Sequence, residues 1–144
     1  MPVQRMDNVG IVVDDLPATI AFFRELGLDL EGQATIEGDW AGRVTGLPDM
    51  RVEMAMMRTP DGHSRLELTK FHTPAAIGDA PSAPNTLGIR RIMFAVEGIH
   101  DVVARLQAIG AELVGDLVQY EDSFRLCYVR GPEGILVALA EQLS

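Results

Sequence analysis

Cysteine is almost absent from this chain: one residue, Cys127, in 144. A lone cysteine excludes an intramolecular disulfide framework and points to a reducing, cytoplasmic setting. Set within a strand-like segment, it reads as a small buried apolar residue. Histidine is scarce too, with three copies, and no Cys-His or Ser-His-Asp spacing stands out. Positive charge is short: 12 Lys and Arg stand against 21 Asp and Glu, for a net charge of −9. That balance argues against nucleic acid or an anionic membrane as partner, since both demand a basic face. No apolar run approaches the roughly 18 residues of a membrane span. No basic-then-apolar leader opens the sequence. The 14 glycines are scattered, with no run that would cradle a phosphate, so no nucleotide site is indicated.

What the chain does have is an internal repeat. Val13-Asp-Asp-Leu-Pro-Ala-Thr-Ile-Ala-Phe-Phe-Arg-Glu-Leu-Gly27 is echoed by Val96-Glu-Gly-Ile-His-Asp-Val-Val-Ala-Arg-Leu-Gln-Ala-Ile-Gly110 at a constant offset of 83. Val13 matches Val96, Leu16 matches Ile99, Phe23 matches Leu106 and Gly27 matches Gly110. At 144 residues and 47% hydrophobic content, the two copies together make one domain with a real core.

Each copy predicts the same order of elements: strand, helix, then three strands. In the first, residues 5–14 alternate as a strand. Asp14-Asp15-Leu16-Pro17 is a helix start with an acidic cap and an early proline. Leu16, Ile20, Phe23 and Leu26 form its apolar stripe, and Gly27 stops it. Strands follow over 28–34, 50–59 and 63–71, the last two joined by a turn at Thr59-Pro60-Asp61-Gly62. Residues 37–48, with the only tryptophan, Trp40, read as a loop or broken helix. In the second copy the strands are expected over 88–96, 111–119, 123–130 and 135–141, with a helix over 99–109. Pro74, Pro81 and Pro84 mark a linker. The expected layout is 1–72, a linker at 73–87, and 88–144.

Alternation sorts the side chains by face. Val9, Ile11, Val13, Leu66 and Leu68 face the helix of the first copy. Asn8, Arg65, Glu67 and Thr69 then face the other way. In the second copy Ile135, Val137 and Leu139 face the helix, leaving Leu136, Ala138 and Ala140, with Arg91 as the counterpart of Asn8. If the sheets curl, these opposite faces make a cup centred on Asn8, Glu67, Arg91 and Ala138.

The strand Asn8-Val-Gly-Ile-Val-Val-Asp-Asp-Leu16, the helix end Phe22-Phe23-Arg-Glu-Leu-Gly27, the strand Arg65-Leu-Glu-Leu68 and the turn Gly131-Pro-Glu-Gly134 resemble the vicinal oxygen chelate superfamily. That family includes glyoxalase I, extradiol dioxygenases, methylmalonyl-CoA epimerase, and fosfomycin- and bleomycin-resistance proteins. The resemblance spans nearly the whole chain. It implies an α+β fold of two βαβββ modules whose curled mixed sheets surround a cup. In metal-dependent members, ligands come from the first and last strands of each module. Those positions here are Asn8, Glu67, Arg91 and Ala138, of which only Glu67 matches the family's His, Glu or Gln. Arg91 repels a cation, and Ala138 has no donor atom.

The expected function is binding of a small molecule in the cup without the usual metal site. Glu67 is the candidate general base or anchor. Arg91 suits bidentate binding of an anionic or polar group. Asn8, Arg65, Trp40, Met54, Tyr120 and Tyr128 complete the candidate ligand contacts, with Met50, Met56, Met57 and Phe71 as further apolar lining or plain core. No cofactor is expected. The rival is a metal-dependent lyase, isomerase or dioxygenase that uses Glu67 with His63 or His72; His100 reads as a surface residue. A homodimer is expected, because curled sheets leave apolar edges to cover.

Overall fold

The computed structural model describes residues 2–78 and 82–143. Two compact units emerge, Met1–Gly78 and Asp79–Ser144. Part of the expected linker, residues 79–81 with Pro81, lies outside the described residues. The fold is mixed α+β, with two mixed sheets and three α-helices among the described residues. No helix among them is long and apolar enough to cross a membrane.

The first unit runs β1 (Val9–Val12), α1 (Leu16–Leu26), β2 (Asp29–Glu37), α2 (Asp39–Thr45), β3 (Arg51–Arg58) and β4 (Arg65–Thr73). Its sheet has the order β1-β4-β3-β2, with β1 and β4 parallel and the other pairs antiparallel. Strand β1 is shorter than alternation predicts. Its partner β4 is paired only from Leu66, opposite Val9, so the residues before Val9 have no ladder to join.

Helix α1 begins where the sequence places it. The Asp15 carboxylate accepts a hydrogen bond from the Ala18 N–H at 3.0 Å, and Pro17 occupies the first turn. Gly27 closes it in the left-handed region at φ 117°, which favours glycine. Leu16, Ile20, Phe22 and Phe23 are buried, with the two phenylalanines edge to face at 5.1 Å. From the sheet, Ala55, Met57, Leu66 and Leu68 are likewise buried. Alternation therefore holds in β4: Leu66 and Leu68 are buried, and Arg65, Glu67 and Thr69 are half-buried on the other face.

The second unit runs β5 (Ile92–Ala95), α3 (Ile99–Ala108), β6 (Glu112–Leu113), β7 (Val118–Tyr120), β8 (Phe124–Arg130) and β9 (Leu136–Gln142). Its sheet order is β5-β9-β8-β6, with β7 also on β8 and β5 parallel to β9. The parallel pair repeats that of the first unit: Gly10 opposes Glu67, and Met93 opposes Ala138. The single strand expected over 111–119 is split into β6 and β7, with Gly115 in the break. In β9 the expected two-faced pattern gives way. Leu136, Val137, Ala138 and Leu139 are all buried, so the face holding Ala138 is not open there.

The two repeat helices are capped differently. Gly98 precedes α3 and offers no side-chain cap. Glu141, from β9, takes that role: its carboxylate accepts from the Gly98 N–H at 2.7 Å and the Ile99 N–H at 3.3 Å. These bonds, with Arg125 nearby, hold the Glu141 carboxyl below the usual range. A lowered folded-state value means that the contribution is present above the unfolded glutamate range and is lost as pH falls through it. We therefore expect the melting temperature of Glu141→Gln to fall less steeply than that of the parent protein on acidification. Parallel acid-side melting curves for the two proteins would show Glu141 to be incidental.

Candidate functional site

Helix α2 builds the site. It spans seven residues, too few to be stable alone, and its packing holds it in place. Ala41, Met50 and Val52 are buried together, with Ile36, Leu47 and Phe71 against them. Gly46 ends the helix at φ 77°, and its N–H donates to the Gly42 carbonyl at 2.8 Å. The returning chain passes so close to Gly42 that a Cβ there would lie 2.9 Å from the Leu47 carbonyl oxygen. The Thr45 hydroxyl is used internally, donating to the Ala41 carbonyl at 2.8 Å. Trp40 and Val44, on the same helix, are 60% and 76% exposed.

Between α2 and the sheet lies a pocket of about 420 Å³, within the range of small-molecule sites. The sheet contributes Val12, Ile36, Val52, Glu67, Thr69 and Phe71; α2 contributes Trp40, Ala41, Val44 and Thr45. Gly10, beside Glu67 in the ladder, leaves one stretch of wall without a side chain. The opposite neighbour of Glu67 is Met56, so neither cross-strand partner can pair with the carboxylate. Glu67 is half-buried, and among the described residues its side chain makes no hydrogen bond or ion pair.

The nearby cations are committed elsewhere. Arg65 faces Arg58 across the β3–β4 ladder, a repulsive placement. Glu31, at the bulge between Leu30 and Gly32, relieves it. Arg65 donates to Glu31 through Nε at 3.0 Å and Nη2 at 3.1 Å, and Arg58 lies 3.5 Å from the same carboxylate. The Arg65 fork holds the Glu31 carboxyl below its usual range, and Glu31 in turn raises the Arg65 guanidinium. Lys70 pairs with Asp14 at 3.5 Å.

Of the residues singled out from the sequence, the pocket brings together Glu67 and Trp40, with Met50 and Phe71 among its walls. Asn8 lies just before β1 and donates through Nδ2 to Asp7 at 3.3 Å. Met54 shares the Glu67 face of the sheet, opposite Thr69, without lining the pocket. His72 Nε2 lies 3.3 Å from a Glu53 oxygen, and His63 is exposed beside its turn. In the second unit the Arg91 guanidinium sits 5.6 Å from the Tyr128 ring centroid, within cation–π range. Tyr120 is 59% exposed on β7. Gly10, Val12, Ala41, Val44 and Thr45 were not singled out. The i,i+4 spacing of Trp40 and Val44 between Gly38 and Gly46 was the available signal.

The four positions that the fold associates with a divalent metal do not fit one. Ala138 carries no donor and is 1% exposed, Arg91 is a cation engaged with a ring, and Asn8 is a weak neutral donor. Only Glu67 offers a strong oxygen ligand. Among the described residues no group of three or more His, Cys, Asp and Glu side chains is arranged to hold an ion.

Comparison with known proteins agrees with this architecture. The family model for the Glyoxalase/Bleomycin resistance protein/Dioxygenase superfamily matches residues 5–139. A crystal structure of a glyoxalase family protein from Bacillus cereus is 59% identical, with a TM-score of 0.97, covering 100% of this chain and 97% of that one. A glyoxalase family protein from Enterococcus faecalis is 22% identical, with a TM-score of 0.68, covering 98% of this chain and 100% of that one. The fosfomycin resistance protein FosX of Listeria monocytogenes, crystallised with Mn(II) and sulfate, is 15% identical, with a TM-score of 0.61, covering 96% of this chain and 93% of that one. Those last two show a shared fold alone. No curated protein matches the sequence.

Proposed function

The chain belongs to the Glyoxalase/Bleomycin resistance protein/Dioxygenase superfamily, and we propose that it binds a small organic molecule in the pocket under α2. Glu67 is the polar anchor, and no three-ligand metal site takes part. One observation carries this reading: an apolar pocket of about 420 Å³ holds a single carboxylate that nothing in the first unit satisfies. Sites of this kind join apolar walls to a few polar groups that fix orientation. The donor chemistry at Asn8, Arg91 and Ala138 supports the metal-free form.

Trp40, the only tryptophan, stands on the pocket wall and reports on occupancy. Titration with phenylbutanol, a neutral probe, should change its fluorescence saturably, and equally with chelator or with added manganese. Stoichiometric metal in the purified protein, lost on Glu67→Ala, would overturn the metal-free reading in favour of a metal-dependent lyase, isomerase or dioxygenase. A Trp40 signal that never saturates would overturn the pocket itself.

A further inference from the structure

We infer that the pocket under α2 selects an organic cation: an amine, protonated at neutral pH, carried on a flat or elongated apolar body. This rests on the reading of that pocket as a ligand site and goes on to name the ligand's charge.

The argument starts from Glu67. An ionised carboxylate only accepts hydrogen bonds, and leaving one half-buried against carbon without a partner costs free energy. Its ladder neighbours are Gly10 and Met56, which have no polar hydrogen to give. The adjacent basic side chains are already paired, Arg65 with Glu31 and Lys70 with Asp14. The Thr45 hydroxyl on the facing helix is spent on Ala41. Thr69 is left as the other polar side chain of the sheet wall, and a hydroxyl brings no charge. Among the described residues of the first unit the carboxylate therefore has no cation beside it, and a ligand ammonium supplies one through a charge-assisted hydrogen bond.

Two further observations point the same way. Trp40 offers an exposed indole on the opposite wall, and an indole face attracts a cation. The net charge of −9 favours approach of cations over anions. Val52 and Phe71 in the sheet and Val44 on α2 present carbon to the rest of the ligand, which favours an apolar body.

Three probes that share one body and differ in charge test this by Trp40 fluorescence: phenylbutylamine, phenylbutanol and phenylbutyrate. The amine should bind on the order of tenfold tighter than the alcohol, the advantage of a hydrogen bond between charged groups. The carboxylic acid should bind more weakly than both. Glu67→Gln should bring amine and alcohol to about the same affinity. Added salt should weaken the amine alone, a readout that needs no variant. Equal binding of amine and alcohol to the parent protein would overturn the inference and leave the pocket standing. Tighter binding of the acid would overturn it as well. Failure of all three probes would remove the pocket reading beneath it.

Discussion

Gly10→Leu should weaken binding of phenylbutanol and phenylbutylamine roughly ten- to a hundredfold while leaving the fold at least as stable. Gly10 sits in β1 directly beside Glu67, on the face that carries the pocket. A Cβ placed there meets nothing within 4 Å, and the backbone lies outside the left-handed region, so leucine adopts it without strain. The new side chain stands perpendicular to the sheet, in the space a ligand would occupy. Forcing a ligand into a filled site costs about 1–3 kcal/mol, or roughly ten- to a hundredfold in affinity. Removing a strand glycine also limits the unfolded chain, a gain of about 0.4–1 kcal/mol. Weakened binding with an unchanged or raised melting temperature is the expected pair of results. Unchanged affinity would place the ligand elsewhere.

The second large effect separates two neighbours in one strand. Leu68 is fully buried in β4, between Ile11 of β1 and Ala55 of β3. Leu68→Ala should cost about 2–5 kcal/mol, because it removes core contacts and leaves a cavity. Glu67 is one residue away and faces the pocket. Glu67→Gln should move stability by no more than about 0.5 kcal/mol while removing the preference for amines. Urea denaturation of both variants reads the contrast. A loss of several kcal/mol in Glu67→Gln would make that carboxylate part of the folding core, and its placement in a binding site would be wrong.

That contrast was legible in the sequence because strand alternation is local. Leu66 and Leu68 flank Glu67, and period two alone sends the carboxylate away from the helix. The cap and stop of α1 were readable for the same reason: Asp15, Pro17 and Gly27 act within one turn of their own positions. Interactions across the chain were not. Glu141 caps α3 from 43 residues away, so nothing near Gly98 announces it. Arg65 looked available for a ligand, but its partner Glu31 is 34 residues earlier, at a bulge that local pattern does not predict. Helix α2 was read only as a loop or broken helix, because its seven residues are too short for periodicity and its anchors Met50 and Val52 follow it in the chain. Three of its pocket residues, Ala41, Val44 and Thr45, went unread with it.

Ala138 shows a limit of another kind. Alternation in β9 suggested an open face, yet burial on both sides of the strand erases that distinction. Its donor chemistry, by contrast, needed no structure: alanine cannot ligate a metal wherever it sits.

The central claim, a pocket under α2 in which Glu67 receives a cationic ligand, is tested most directly by a crystal structure of the protein with phenylbutylamine. The account predicts the ammonium within hydrogen-bonding distance of the Glu67 carboxylate, with the phenyl ring between the sheet and α2 and Trp40 beside it. A phenyl ring in that pocket with its amine turned to solvent, or a ligand bound elsewhere on the protein, would contradict it.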